Sequence, residues 1–212
     1  MNHLTTRRSL HAAAELLLAG PQYRRAGTIR LRVCPGGFRT IAEPDLRIDG
    51  VDFVAGDRRL PMSGRSCAEL AGAAGTDVGG PDGLYPDGSG VSPDEPLHLD
   101  PAQARWLHEC WSVGDAALRR LAPDQQPILW PEHFDVGVVD DGIGYGVSPG
   151  DDYHADPYAY VSPPSPRTDP FWNAPFGAAR PMRELATGAP DAVLAFFAEG
   201  RDRATTGIPP TP

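Results

Sequence analysis

The sequence predicts an α+β fold in which an antiparallel sheet of short hairpins packs against three to four helices. Short alternating apolar runs are separated by turn residues, and hairpin signals stand at Asp49-Gly50 and Asp140-Asp141-Gly142. Three longer stretches repeat apolar residues at helical spacing. A doubly wound parallel sheet would instead need strands alternating regularly with helices.

The elements follow in chain order. Leu10, Ala13, Ala14, Leu17 and Leu18 predict an amphipathic helix over about Leu10–Ala19, stopped by Gly20-Pro21. Thr28–Val33 alternates as a half-buried strand, with Arg30 and Arg32 on the face opposite Ile29, Leu31 and Val33. Those arginines read as an exposed strand face, with an anion-binding pair as the alternative. Leu46–Ile48 and Val51–Val54 flank the Asp49-Gly50 turn, Arg58–Met62 supplies another strand, and an Ala-rich helix covers Cys67–Ala74. Residues 75–96 are rich in Gly, Pro, Asp and Ser without any period, which reads as a long surface loop.

Asp100 as N-cap and Pro101 at the first helical position open a helix that runs to Leu121. Its apolar stripe is Leu107, Cys110, Trp111, Gly114, Leu118 and Leu121. Ile128–Trp130, Phe134–Val139, Ile143–Val147 and Tyr158–Val161 are strand candidates, and a last helix spans Pro190–Glu199 and stops at Gly200. Residues 1–204 read as one domain and 205–212 as a disordered tail.

The net charge of −9 argues against nucleic acid as a partner, and no apolar run reaches the ~20 residues that a membrane span requires. Three scattered cysteines fit reduced thiols in a cytoplasm. Thr6-Arg7-Arg8-Ser9-Leu10 mimics a twin-arginine export signal, but Glu15 interrupts the apolar stretch and no cleavage site follows. The expected location is cytoplasmic. Dinucleotide, P-loop, serine-hydrolase and HExxH motifs are all missing.

Polar and aromatic residues instead concentrate in 130–176. If Phe134–Val139 is a strand, His133 and Asp135 share one face and Glu132 the other, so His133 can act as acid or base with Asp135 or Glu132. Asp152, His154 and Asp156 alternate in a second cluster. No cofactor is called for. A divalent metal on His133, His154 and one carboxylate is the alternative, and backbone bonding at a turn is the plain reading of the same residues. Trp130, Tyr145, Tyr158, Tyr160, Trp172 and Asn173 are candidates to line a ligand pocket. Hairpin return through Asp140–Gly142 and Ser148–Asp151 brings His154 toward His133, so the two imidazoles are expected to face a common cleft.

WPEHFD, GYGVSPGD, H-x-x-PYAYV and FWNAPFGA resemble the motifs of a widespread uncharacterised family of high-GC bacteria. More distantly they are similar to a larger WP-x-HFD family of unknown function. The resemblance spans most of the chain, including GPQYRRAGTIRLRVCPGGF, and implies no activity. The function expected from the residues is a small-molecule site with His/carboxylate acid–base chemistry, of hydrolase, isomerase or cyclase type. Non-catalytic binding and a structural or partner-binding role are the alternatives, and the oligomeric state is not legible.

Overall fold

A computed structural model describes residues 3–81, 83–85, 88–185 and 190–206. Their folded contacts cluster into two compact units. The first holds Met1–Ser112 and Ile128–Asp135, the second Val113–Pro127 and Val136–Pro212. The α+β class is as the sequence predicts: short antiparallel strands with helices against them.

In the first unit β1 (Leu31–Cys34), β2 (Gly37–Thr40), β3 (Leu46–Asp49), β4 (Asp52–Ala55) and β5 (Arg58–Pro61) form an antiparallel meander. β6 (Ile128–Trp130) adds beside β1 through Leu31 and Leu129. The hairpin stands where the sequence puts it, but its turn is Gly50-Val51, closed by the Asp49–Asp52 pair, one residue beyond the expected Asp49-Gly50, because Gly50 (φ +63°) takes the first turn position. β2 was not foreseen, because Cys34-Pro35-Gly36-Gly37 reads as a strand end rather than as the turn of a hairpin. Leu31, Phe38, Leu46, Ile48 and Phe53 are buried toward the helices.

The N-terminal rod corrects the expected stop at Gly20-Pro21. α1 (His3–Ala12) passes into a π-helical segment (Ala13–Ala19) and on into α2 (Gly20–Ala26), which ends at Gly27 with φ +72°. Proline inside an α-helix lacks the donor and crowds the carbonyl four residues back. The π register widens the turn: Gly20 N–H bonds the Glu15 carbonyl five residues earlier. Pro21 has no N–H to give the next carbonyl, that of Leu16, and Gly79 N–H bonds it instead at 3.0 Å.

Residues 76–100, without helix or strand among those described, run as a strap along this rod. The strap's backbone donors find side chains on it: Asp100 N–H on Thr6 Oγ1 (3.0 Å), His98 N–H on Ser9 Oγ (2.9 Å) and Ser89 N–H on Glu15 Oε2 (2.9 Å). Arg8 pairs with Glu95 near one end, and Arg24 pairs with Asp77 and reaches the Gly80 carbonyl at 3.0 Å near the other. A segment with no ladder of its own must satisfy its polar backbone somewhere, which is why Thr6, Ser9 and Glu15 are buried. Gly20 permits the approach, since a Cβ there would lie 1.7 Å from the Gly79 carbonyl oxygen.

α3 (Cys67–Ala74) matches its expected bounds and carries a Ser66/Glu69 capping box. α4 (Pro101–Leu121) also matches, with Asp100 Oδ1 accepting the N–H groups of Ala102 and Gln103.

In the second unit β7 (Asp135–Asp140), β8 (Ile143–Ser148), β9 (Tyr158–Ser162) and β10 (Ala178–Pro181) lie side by side, antiparallel throughout. Asp141 (φ +48°) and Gly142 (φ +76°) give the β7–β8 turn the positive φ pair of a type I′ hairpin. α5 (Met182–Leu185) and β10 were not foreseen. α6 runs Pro190–Thr205, past the expected stop at Gly200. Gly200 is a packing residue, because a Cβ there would fall 2.7 Å from the Val161 side chain. Thr205 is thus helical and Thr206 closes the last turn on the Asp202 carbonyl, while 207–212 of the expected tail lie outside the described residues.

Candidate functional site

The WPEHFD segment is a tight turn in the first unit, and β7 begins at Asp135 instead of Phe134. Phe134 N–H closes on the Trp130 carbonyl at 2.7 Å, and Phe134 itself takes φ +56°. A bulky residue in the left-handed region breaks the alternation expected of a strand. His133 is exposed, Glu132 half-buried, and Phe134 and Asp135 buried.

Packing holds Phe134 in that conformation. Its ring stacks on His11 (5.0 Å between centroids, planes within 3°) and meets Trp111 edge-on at 4.7 Å. His11 Nε2 lies 2.7 Å from the Pro131 carbonyl, so the ring donates there in its neutral form. Burial pushes the His11 pKa down, against the pull of the Pro131 carbonyl and Glu15; Arg7 and His133 add to the lowering.

Carboxylates gather beside this turn. Glu15, carried by the π-helical segment, accepts Ser89 N–H and Ser89 Oγ–H (2.7 Å) on Oε2. Gly88 passes so close that a Cβ would lie 2.2 Å from Glu15 Oε1. The buried Tyr85 hydroxyl stands beside Glu15. Burial raises its pKa first, then the negative charge of Glu15 and its hydrogen bonding to the hydroxyl, and more weakly the charge of Glu132. Glu132 Oε2 is buried with no hydrogen-bond partner among the described residues. Two carboxylates, a phenol and two imidazoles thus share one neighbourhood, and such a set can accept, hold and return a proton.

Sequence reasoning found Glu132, His133 and Asp135 but missed Glu15, Tyr85, Ser89 and His11. The available signal was Glu15 inside an apolar helix next to a proline, the setting in which a π turn buries a charge.

The remaining candidates stand in the second unit. Asp151 is a hub: Oδ1 accepts the N–H of Tyr153 (2.9 Å) and His154 (3.1 Å), and Oδ2 accepts the Tyr158 hydroxyl at 2.5 Å. His154 Nδ1 turns to the Asp156 carbonyl at 2.8 Å, and Asp156 pairs with Arg183 at 3.6 Å. Tyr158 and Tyr160 share a face, as expected of alternate strand residues, with ring centroids 6.5 Å apart. Phe176 joins both and Tyr153 at 5.1–6.3 Å. Gly146 makes room, since a Cβ there would lie 2.5 Å from the Tyr160 hydroxyl.

Tyr145 lies on the opposite, helix-facing side against Phe197 (5.9 Å), its hydroxyl pushed up to about 12 by burial. Trp172 meets Phe171 edge-on at 4.9 Å. Asn173 bonds both backbone groups of Ala179, accepting its N–H at 2.8 Å and donating to its carbonyl at 3.1 Å. Trp130, in the first unit, carries the Arg30 guanidinium 5.7 Å above its ring. The aromatic set expected to wall one pocket is therefore distributed over several surroundings. His133 stands in the first unit and His154 in the second.

Among the described residues no group of three His, Cys, Asp or Glu side chains is arranged to hold a metal ion, and no helix is long and apolar enough to cross a membrane. No protein-family model matches the chain, and neither a curated protein nor a solved structure matches it. The fold sets the class: an α+β protein built on antiparallel hairpins.

Proposed function

We propose that the chain binds a small molecule at the turn carrying Glu132 and His133, and that Glu132 exchanges a proton with it. The supporting observation is the buried Oε2 of Glu132, without a hydrogen-bond partner among the described residues, whose charge bears on Tyr85 together with that of Glu15. A buried acceptor without a donor costs about 1–3 kcal/mol, and a donor on a bound molecule would recover it. His133, exposed at the same turn, is the second acid–base group, and Tyr85 orients the molecule.

A second reading is binding without chemistry in the second unit. Tyr153, Tyr158, Tyr160 and Phe176 form its wall, and Asp151 is occupied by internal bonds. The location belonging to both readings is the cytoplasm. Its support is that Thr6, Arg8 and Ser9 of the export-like segment all engage the strap.

The test is a thermal-shift screen of primary amines, amino acids and hydroxy acids on the wild type, Glu132→Gln and His133→Ala. We expect compounds that stabilise the wild type and lose that effect in Glu132→Gln. A screen without hits, or hits that stabilise Glu132→Gln equally, rejects the reading.

A further inference from the structure

The outward face of the first unit's sheet carries a row of guanidiniums set by strand register. Arg32 on β1 pairs directly with Arg39 on β2, and Arg39 with Arg47 on β3. The row continues through Val54 on β4 to Arg59 on β5. Like charges directly opposite one another destabilise an antiparallel pair, yet here three stand in line within a chain of net charge −9.

Among the described residues, local carboxylates neutralise the row only at Arg39 and Arg59. Asp45 pairs with Arg39, while Asp49 and Asp52 are both taken by Arg59. Arg32 and Arg47 are exposed and have no ion pair among the described residues. Arg30, two residues before Arg32, lies over the Trp130 ring. Adjacent strands are spaced by ~4.8 Å, so Arg32 to Arg47 spans about 10 Å.

We propose that the Arg32–Arg39–Arg47 row binds a small molecule carrying two or more phosphate groups. Guanidinium forks match phosphate oxygens in pairs, and the row offers several forks along one line. A single carboxylate satisfies one fork, as Asp45 does for Arg39; a linear oligophosphate reaches from Arg32 to Arg47 and displaces the exposed Asp45 from Arg39 between them. The overall negative charge repels a long polyanion, whereas a compact one meets mainly the local positive row. The site is independent of the acid–base reading at Glu132.

The test is calorimetric titration of the full chain with inorganic tripolyphosphate, pyrophosphate and orthophosphate at low salt. Affinity should fall in that order, and the double variant Arg32→Gln/Arg47→Gln should lose about tenfold or more with tripolyphosphate. Arg32→Lys/Arg47→Lys, which keeps the charge but not the fork, should lie between the two, and Arg25→Gln on α2 should match the wild type. Without ligand the Gln double variant should be at least as heat-stable as the wild type, because it removes repulsion from an exposed face. Undiminished binding in the Gln double variant, or no binding by the wild type at millimolar tripolyphosphate, overturns the proposal. So does tighter binding of a single-stranded oligonucleotide or of poly-glutamate, which would assign the row to a macromolecule.

Discussion

Glu15 and Ser89, 74 residues apart, are joined by two hydrogen bonds on one carboxylate oxygen, from the serine N–H at 2.9 Å and its hydroxyl at 2.7 Å. This contact ties the strap to the π-helical turn. Glu15→Ala should cost about 2 kcal/mol in urea unfolding, because it removes both bonds and leaves a half-buried N–H without an acceptor. Ser89→Ala keeps that N–H bond and should cost about 1 kcal/mol. Equal losses would mean that the backbone donor contributes nothing.

Gly20 lies against backbone, not against a side chain that can swing away. Gly20→Ala should destabilise by about 1–3 kcal/mol through overpacking. It should also speed hydrogen exchange at Gly79, whose N–H bonds Leu16. An unchanged Gly79 exchange rate would count against a strap held by this close approach.

His11 and His108 both have pKa values lowered by burial. The unfolded chain takes up these protons near pH 6.5, and the folded chain only at lower pH. Stability is therefore complete above about pH 6.5 and declines as the pH falls through the window between the two values. Chemical unfolding at pH 7.5 and pH 5 should show this loss, with a shallower slope in His11→Gln and in His108→Gln. A slope unaltered in both variants would exclude them as its source.

Tyr158→Phe removes the donor on Asp151 Oδ2 but leaves the two turn bonds on Oδ1. Because Asp151 is exposed, the cost should be modest, about 0.5–1.5 kcal/mol in thermal unfolding, without change in the fold. A larger loss would mark the Tyr158–Asp151 bond as the main anchor of the turn.

Much of the fold was legible because local chemistry decided it. Asp141-Gly142, the Asp100-Pro101 helix start and the Cys67–Ala74 helix each depend on a few neighbouring residues, and each stands where expected. The Asp49-Gly50 signal marks its hairpin but falls one residue before the turn, Gly50-Val51. The misreadings at Gly20-Pro21 and Gly200 share one cause. Both glycines signal a stop locally, but each lies at a close approach to backbone or side chain far along the sequence. The candidate site was half legible for the same reason. Glu132 and His133 announce themselves in a motif, whereas Glu15, Tyr85 and Ser89 converge only through the strap. Nothing in residues 75–96 taken alone points to a buried carboxylate.

Asn173 has a consequence for how this protein behaves at high concentration. Among the described residues β10 pairs with β9 on one side alone, and an unpaired strand margin invites a second chain to add to it. The Asn173 side-chain amide binds the Ala179 N–H and carbonyl as a neighbouring strand would, leaving no free pair there for an incoming chain. One amide thus blunts this margin, and Asn173→Ala would leave the Ala179 pair open to an added strand.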